Sequence, residues 1–173
     1  SAYLRPYADK VVAIYPPVEI PRPDMQAVAA WRRELGLDGI RLVGFAGRFV
    51  EEKGFDYLLK AVPLVLEQMP DVRFAYAGDY NVVYESFYQR CARLMDSCNN
   101  QITKVGLITD QQKLANFYAM CDVFALPSRT DCFPSVQIEA LLCGTPVVAT
   151  NIPGAREVVS VTGMGKLVEP RDE

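Results

Sequence analysis

From residue 40 onward the chain repeats one pattern: a short, nearly continuous apolar run, a helical stripe, then another apolar run. Runs of this kind suit strands buried on both faces. They predict strands at 40–46, 72–77, 101–107, 123–126, 146–150 and 165–168. Between them the 3.6-residue spacing predicts helices from 55, over 84–97, from the Asp110 cap to 120, over 135–143 and over 154–159. In the first of these, Phe55, Leu58, Leu59, Val62, Leu66 and Met69 share a face, and Pro63 should kink that helix or tighten its middle. Strands alternating with helices at this spacing mean βαβ units, hence an α/β fold with a parallel sheet covered on both faces. Ligands on such sheets lie beyond the carboxyl ends of the strands. The loops at 44–54, 78–84, 106–110 and 127–139 are therefore where chemistry is expected.

The first 24 residues differ. Pro6, Pro16, Pro17, Pro21 and Pro23 surround one apolar stretch, Val11 to Tyr15, which reads as a short strand followed by an extended connector. Asp24 is placed to cap a short helix from Met25 to Leu35, with Gly36 at its end. The organisation expected is thus a lead-in over 1–24 and one domain over 25–173. The first residue is Ser, not Met, as in an excised fragment or a processed product.

Composition removes several classes of activity. The 173 residues contain no histidine, which excludes Ser-His-Asp and Cys-His catalysis within this chain and His-ligated metal sites. The five cysteines, Cys91, Cys98, Cys121, Cys132 and Cys143, form no C-x-x-C pair, and their odd number without a secretory signal reads as reduced cytosolic thiols. A formal charge of −3 argues against a general nucleic-acid surface. No apolar run reaches the length of a spanning helix.

Two constellations remain. Gly47-Arg48 ends the first regular strand, and Lys53-Gly54 opens the next helix. Two cations five residues apart, beside small residues and a helix N-terminus, can cradle a diphosphate. The residues alone leave open two solvated surface charges. Neither G-x-G-x-x-G nor a Walker A loop is present here. The second constellation is Pro127 to Glu139, with Asp131 on a loop, Ser135 near a helix start and Glu139 within that helix, followed by Ala140, Leu141, Leu142 and Cys143. A carboxylate can accept paired hydrogen bonds from a vicinal diol. Asp131 as a turn residue and Glu139 as a solvated position is the plainer alternative, but a glutamate beside that apolar run wants a specific partner.

Taken together, Gly47-Arg48, Lys53-Gly54, Ala77-Gly78-Asp79, Ala119 to Val123, Pro127-Ser128 and Asp131-x7-Glu139-Ala140-x3-Gly144-Thr145-Pro146 resemble the retaining family 4 glycosyltransferases over residues 40–170. The resemblance implies a Rossmann-like, doubly wound domain with helices on both faces, the C-terminal donor-binding half of a two-domain GT-B enzyme. It implies that Arg48 and Lys53 neutralise the donor diphosphate without a metal or other cofactor, and that Asp131 contacts the transferred sugar. Glu139 would hold the ribose hydroxyls, and backbone amides around Phe133, Ser135 and Val136 would complete the cradle. Val105, Gly106 and Leu107 would border the base, and Gly47 the diphosphate. Two positions depart from the family: Asp131 stands where Glu is usual, and Pro134 where Gly is common. The partners implied are a nucleotide-sugar donor, an acceptor that is a glycan, a lipid-linked sugar or a small molecule, and the N-terminal acceptor domain, which is expected to lie outside this chain. No nucleic acid is expected, and the location implied is cytoplasmic, with peripheral attachment at the inner membrane face where acceptors are lipid-linked. The fragment alone should bind donor without transferring it. A nucleotide-sugar epimerase or phosphorylase of the same architecture, or a non-catalytic nucleotide-binding or sugar-binding module, are the alternatives.

Overall fold

The computed structural model describes residues 5, 9, 10, 12, 14–79 and 86–170. Its centre is a six-stranded parallel sheet in the order β3-β2-β1-β4-β5-β6. The strands are β1 (Arg41–Ala46), β2 (Val72–Ala77), β3 (Ile102–Gly106), β4 (Val123–Leu126), β5 (Val147–Thr150) and β6 (Gly165–Val168). The helices are α1 (Met25–Glu34), α2 (Phe55–Gln68), α3 (Phe87–Ser97), α4 (Gln111–Met120), α5 (Ser135–Leu142) and α6 (Pro153–Thr162). A 3₁₀ turn, Glu51–Lys53, precedes α2. The order reverses between β1 and β4: the chain winds outward from β1 through β2 to β3, then crosses back and winds the other way. Right-handed crossovers in opposite directions put α2 and α3 on one face, and α4, α5 and α6 on the other. This is the α/β fold with a parallel sheet covered on both faces that the alternation predicts, in the Rossmann-like, doubly wound form that the resemblance implies.

The unbroken apolar runs follow from two cores separated by the sheet. Along β1 and β2, Leu42, Ala46, Ala75 and Ala77 face the core under α1, α4, α5 and α6. Their neighbours Phe45, Phe74 and Tyr76 face the core under α2 and α3. Side chains of a strand alternate between faces, so both sets must be apolar when both faces are covered.

Helix ends follow the local chemistry. The Asp24 carboxylate accepts from the N–H groups of Gln26 and Ala27 at 2.9 and 3.1 Å, and Gly36 adopts φ +67 beyond the end of α1. Asp110 accepts from the N–H of Lys113 at 2.7 Å. The last helix is longer than 154–159, running from Pro153 at its first position to Thr162, where Gly163 at φ +68 ends it. The helix expected over 84–97 begins at Phe87; residues 84 and 85 lie outside those described.

Pro63 lies inside α2, which is continuous from Phe55 to Gln68. A proline nitrogen cannot donate to the carbonyl four residues earlier. That carbonyl, of Leu59, instead accepts from the buried Cys98 thiol at 3.7 Å. In the lead-in stretch Val11 to Tyr15, residues 11 and 13 lie outside those described, and Val12, Ile14 and Tyr15 are not in a strand. The short strand expected there is thus corrected for these described residues, whose side chains are largely exposed. Burial pushes the Cys91 and Cys143 thiols up to about 11 and raises Cys121 further, so these three are inert at neutral pH, whereas Cys132 is exposed. Among the described residues no helix is long and apolar enough to cross a membrane.

Candidate functional site

The site is built where the sheet order reverses. At the ends of β1, β2 and β3 the backbones are stitched together: Gly47 donates to the Ala77 carbonyl at 3.0 Å, and Gly78 to the Gly106 carbonyl at 2.9 Å. Gly78 must be glycine because a Cβ there would strike the Gly47 carbonyl oxygen. The buried Tyr76 hydroxyl donates to that same oxygen at 2.8 Å. The loop after β1 is held from beneath by apolar side chains. Phe49 and Val50 are buried, and Phe49 packs edge-on against Phe55 and Tyr76, with ring centres 4.7 and 5.8 Å away. Arg48, between Gly47 and Phe49, is exposed on a loop whose flanks are fixed.

A cleft of about 240 Å³ opens beyond these strand ends. Gly47 and Arg48 line it from β1, Gly78 and Asp79 from β2, and Leu107 from β3. Helix α4 contributes Tyr118, and α5 contributes Val136 and Glu139. The Tyr118 hydroxyl donates to Glu139 Oε2 at 2.6 Å, the specific partner that a carboxylate beside an apolar run requires. Burial first, then the neighbouring Glu139 charge, raises the Tyr118 phenol far above its ordinary range, so it remains a proton donor. Helix α5 begins at Ser135, and its cap residue Pro134 offers no side-chain acceptor. First-turn N–H groups lack intrahelical partners, so this end of α5 carries partial positive charge.

Lys53 and Asp131 are brought together, Nζ to Oδ2 at 2.6 Å, with Ser128 Oγ 3.4 Å from the same oxygen. Both side chains are mostly buried. Their charges offset one another, an arrangement the separate roles of phosphate cation and sugar carboxylate did not anticipate. The loop bearing Asp131 is clamped to the loop bearing Lys53. Arg129 makes a bidentate pair with Asp56 at 2.8 and 2.7 Å, donates to the Glu51 carbonyl at 2.6 Å, and lies 4.1 Å above the Tyr57 ring. Asp56 holds this guanidinium firmly protonated.

Of the residues expected at the site, Gly47, Arg48, Leu107, Val136 and Glu139 share the cleft. Lys53 and Asp131 pair with each other beside it, and Ser135 heads the helix that carries Glu139. Val105 packs against the α4 side of the core, and the Gly106 carbonyl accepts from Gly78. The Phe133 ring stacks on Tyr15 at 5.3 Å and faces an apolar groove between α5 and α6. Sequence reasoning missed Tyr76, Tyr118 and Arg129. A tyrosine on the buried face of a helix was the available signal for Tyr118, since its hydroxyl needs a partner. Among the described residues no group of three His, Cys, Asp or Glu side chains is arranged to hold a metal ion.

Comparison with known proteins agrees with this architecture. A D-inositol 3-phosphate glycosyltransferase of Segniliparus rotundus is 35% identical over 145 residues, covering 82% of this chain and 32% of its own. A GDP-mannose-dependent alpha-(1-6)-phosphatidylinositol monomannoside mannosyltransferase of Mycolicibacterium smegmatis is 32% identical, over 87% of this chain and 40% of its own. The crystal structure of Anabaena HepE in complex with UDP superposes with a TM-score of 0.76 at 26% identity, over 87% of this chain and 40% of that one. The chain thus spans about a third to two fifths of the length of these proteins. The family model described as "Glycosyl transferases group 1" matches residues 40–173, and the chain belongs to that family.

Proposed function

We propose that this chain is the donor-binding half of a retaining glycosyltransferase of the GT-B type, which moves a sugar from a nucleoside diphosphate to an acceptor hydroxyl. The observation that carries the reading is the convergence of Arg48 and Glu139 on one cleft at the reversal of strand order. A cation and a carboxylate lining one cleft match the two ends of a nucleoside diphosphate: the guanidinium takes the diphosphate bidentately, and the carboxylate accepts from the ribose hydroxyls. The N-terminus of α5 adds positive charge nearby, Lys53 stands beside the cleft with its charge offset by Asp131, and Leu107 offers an apolar surface for the base. Asp131 reaches the transferred sugar from the loop beside this cleft.

In the reaction the bond from the anomeric carbon to the diphosphate oxygen breaks, and a bond from that carbon to the acceptor oxygen forms. Negative charge grows on the departing diphosphate, where positive charge fixed in advance is worth most. Arg48 and the α5 N-terminus supply it in this reading, with the Lys53–Asp131 pair beside them, so no metal is required. The acceptor is bound by a second domain, and this chain alone binds donor without transfer. Similar proteins diverge on the base: one relative is named for GDP-mannose, and HepE was crystallised with UDP.

The test is transfer by the full-length enzyme from UDP-glucose and GDP-mannose, assayed with EDTA present and with the product's anomeric configuration read by proton NMR. Transfer that survives EDTA and retains the donor's configuration is expected. An inverted product, or activity abolished by EDTA and restored by a divalent cation, would contradict the proposal.

A further inference from the structure

We infer that Tyr118 positions Glu139 for the nucleotide ribose, an inference that rests on the reading of Glu139 given above. Glu139 projects from the second turn of α5 on a side chain with three rotatable bonds. Without an anchor, ordering that chain would oppose binding. The anchor is Tyr118, fully buried, with its hydroxyl 2.6 Å from Oε2. Its ring is fixed edge-on against Phe117 and Phe124, with centres 6.0 and 5.3 Å away. Its backbone is fixed as well. The Thr145 hydroxyl donates to the Tyr118 carbonyl at 2.7 Å and lies 3.3 Å from that of Cys121, tying the end of α4 to the turn before β5.

This geometry does two things to the carboxylate. It selects one rotamer, and it occupies one lone pair of Oε2. Oε1 has no hydrogen bond among the described residues. A carboxylate oriented in this way presents Oε1 and the remaining lone pair of Oε2 along one edge, matched to two neighbouring hydroxyls. Tyr118 touches no ligand itself in this account; it acts through Glu139.

The experiment is calorimetric titration of the wild type, Tyr118→Phe, Glu139→Gln and the double variant with UDP and GDP and with their 2′-deoxy counterparts. Phe keeps the ring and its packing, so the thermal midpoint of Tyr118→Phe reports whether the fold survives. Loss of a hydrogen bond to a charged group is expected to weaken the bound ribonucleotide about tenfold or more. Affinity for the 2′-deoxy form should change little, and Tyr118→Phe should add nothing in the Glu139→Gln background. A purely structural tyrosine would lower both affinities alike. Tyr118→Phe with unchanged affinity and unchanged ribose discrimination, while Glu139→Gln loses both, would overturn the inference and leave the donor site standing. A wild type that binds neither diphosphate would overturn the reading of Glu139 and this inference with it. A second measurement avoids the variant altogether: the fluorine resonance of 3-fluorotyrosine placed at position 118 should move on saturation with UDP or GDP. An unmoved resonance while the diphosphate binds would overturn the inference.

Discussion

Arg48→Ala is expected to lower turnover of the proposed full-length transferase by about 10²–10³-fold, the usual effect of removing one preorganised group that stabilises developing negative charge. Arg48 stands exposed at the cleft wall, so its removal leaves the core untouched. Its neighbours Gly47 and Phe49 are fixed independently, by the hydrogen bond to Ala77 and by the aromatic cluster of Phe49, Phe55 and Tyr76. Far-ultraviolet circular dichroism and the thermal midpoint should therefore match the wild type. Arg48→Lys should recover only part of the rate, since an ammonium cannot reproduce the planar two-pronged contact. Near-normal turnover in Arg48→Ala would remove this residue from the mechanism.

Gly54→Ala is expected to destabilise the fold by about 3 kcal/mol or more, a fall of roughly 6–12 °C in a domain of this size. Two causes combine there. Gly54 has φ +64, a conformation that side chains disfavour, and a Cβ would be driven into the Pro127 carbonyl, within 2.9 Å of its carbon. Gly36 separates the two causes, because it has φ +67 but nothing within 4 Å of its added Cβ. Gly36→Ala should cost only about 1 kcal/mol. Equal losses in the two variants would mean that the Lys53 loop and the Asp131 loop do not lock together at Gly54. Gly154 makes the same kind of contact from the far side, since a Cβ there would strike the Asp131 and Cys132 carbonyl oxygens. The loop carrying Asp131 is thus gripped between two glycines, and glycine at both positions follows from how closely three backbones approach.

Much of this was legible in the chain because local chemistry and tertiary need coincide. The apolar runs at 72–77 and 123–126 belong to strands covered on both faces, and Asp24 and Asp110 cap the helices they precede. Legibility failed where a long-range partner decides the outcome. Pro63 within a helix leaves the Leu59 carbonyl without its usual donor, yet no local pattern names the thiol 35 positions further along that donates to it. Arg48 and Glu139 are recognisable as candidate site residues, but their convergence on one cleft depends on the crossover that returns α4 and β4 beside β1. The Lys53–Asp131 pair lies 78 residues apart in the chain, and no spacing rule reports it. The same is true of Tyr118 and Glu139, on different helices.

The account rests on a nucleoside diphosphate lying between Arg48 and Glu139, and thermal unfolding tests this most directly. The wild type and Glu139→Ala are each heated in EDTA with UDP, GDP or ADP. A diphosphate at about 100 times its dissociation constant stabilises by about 2.7 kcal/mol, or roughly 5–10 °C here. At least one diphosphate should raise the wild-type midpoint by that amount and leave Glu139→Ala unmoved. A wild type unmoved by all three, or a Glu139→Ala variant that shifts as far as the wild type, would contradict it.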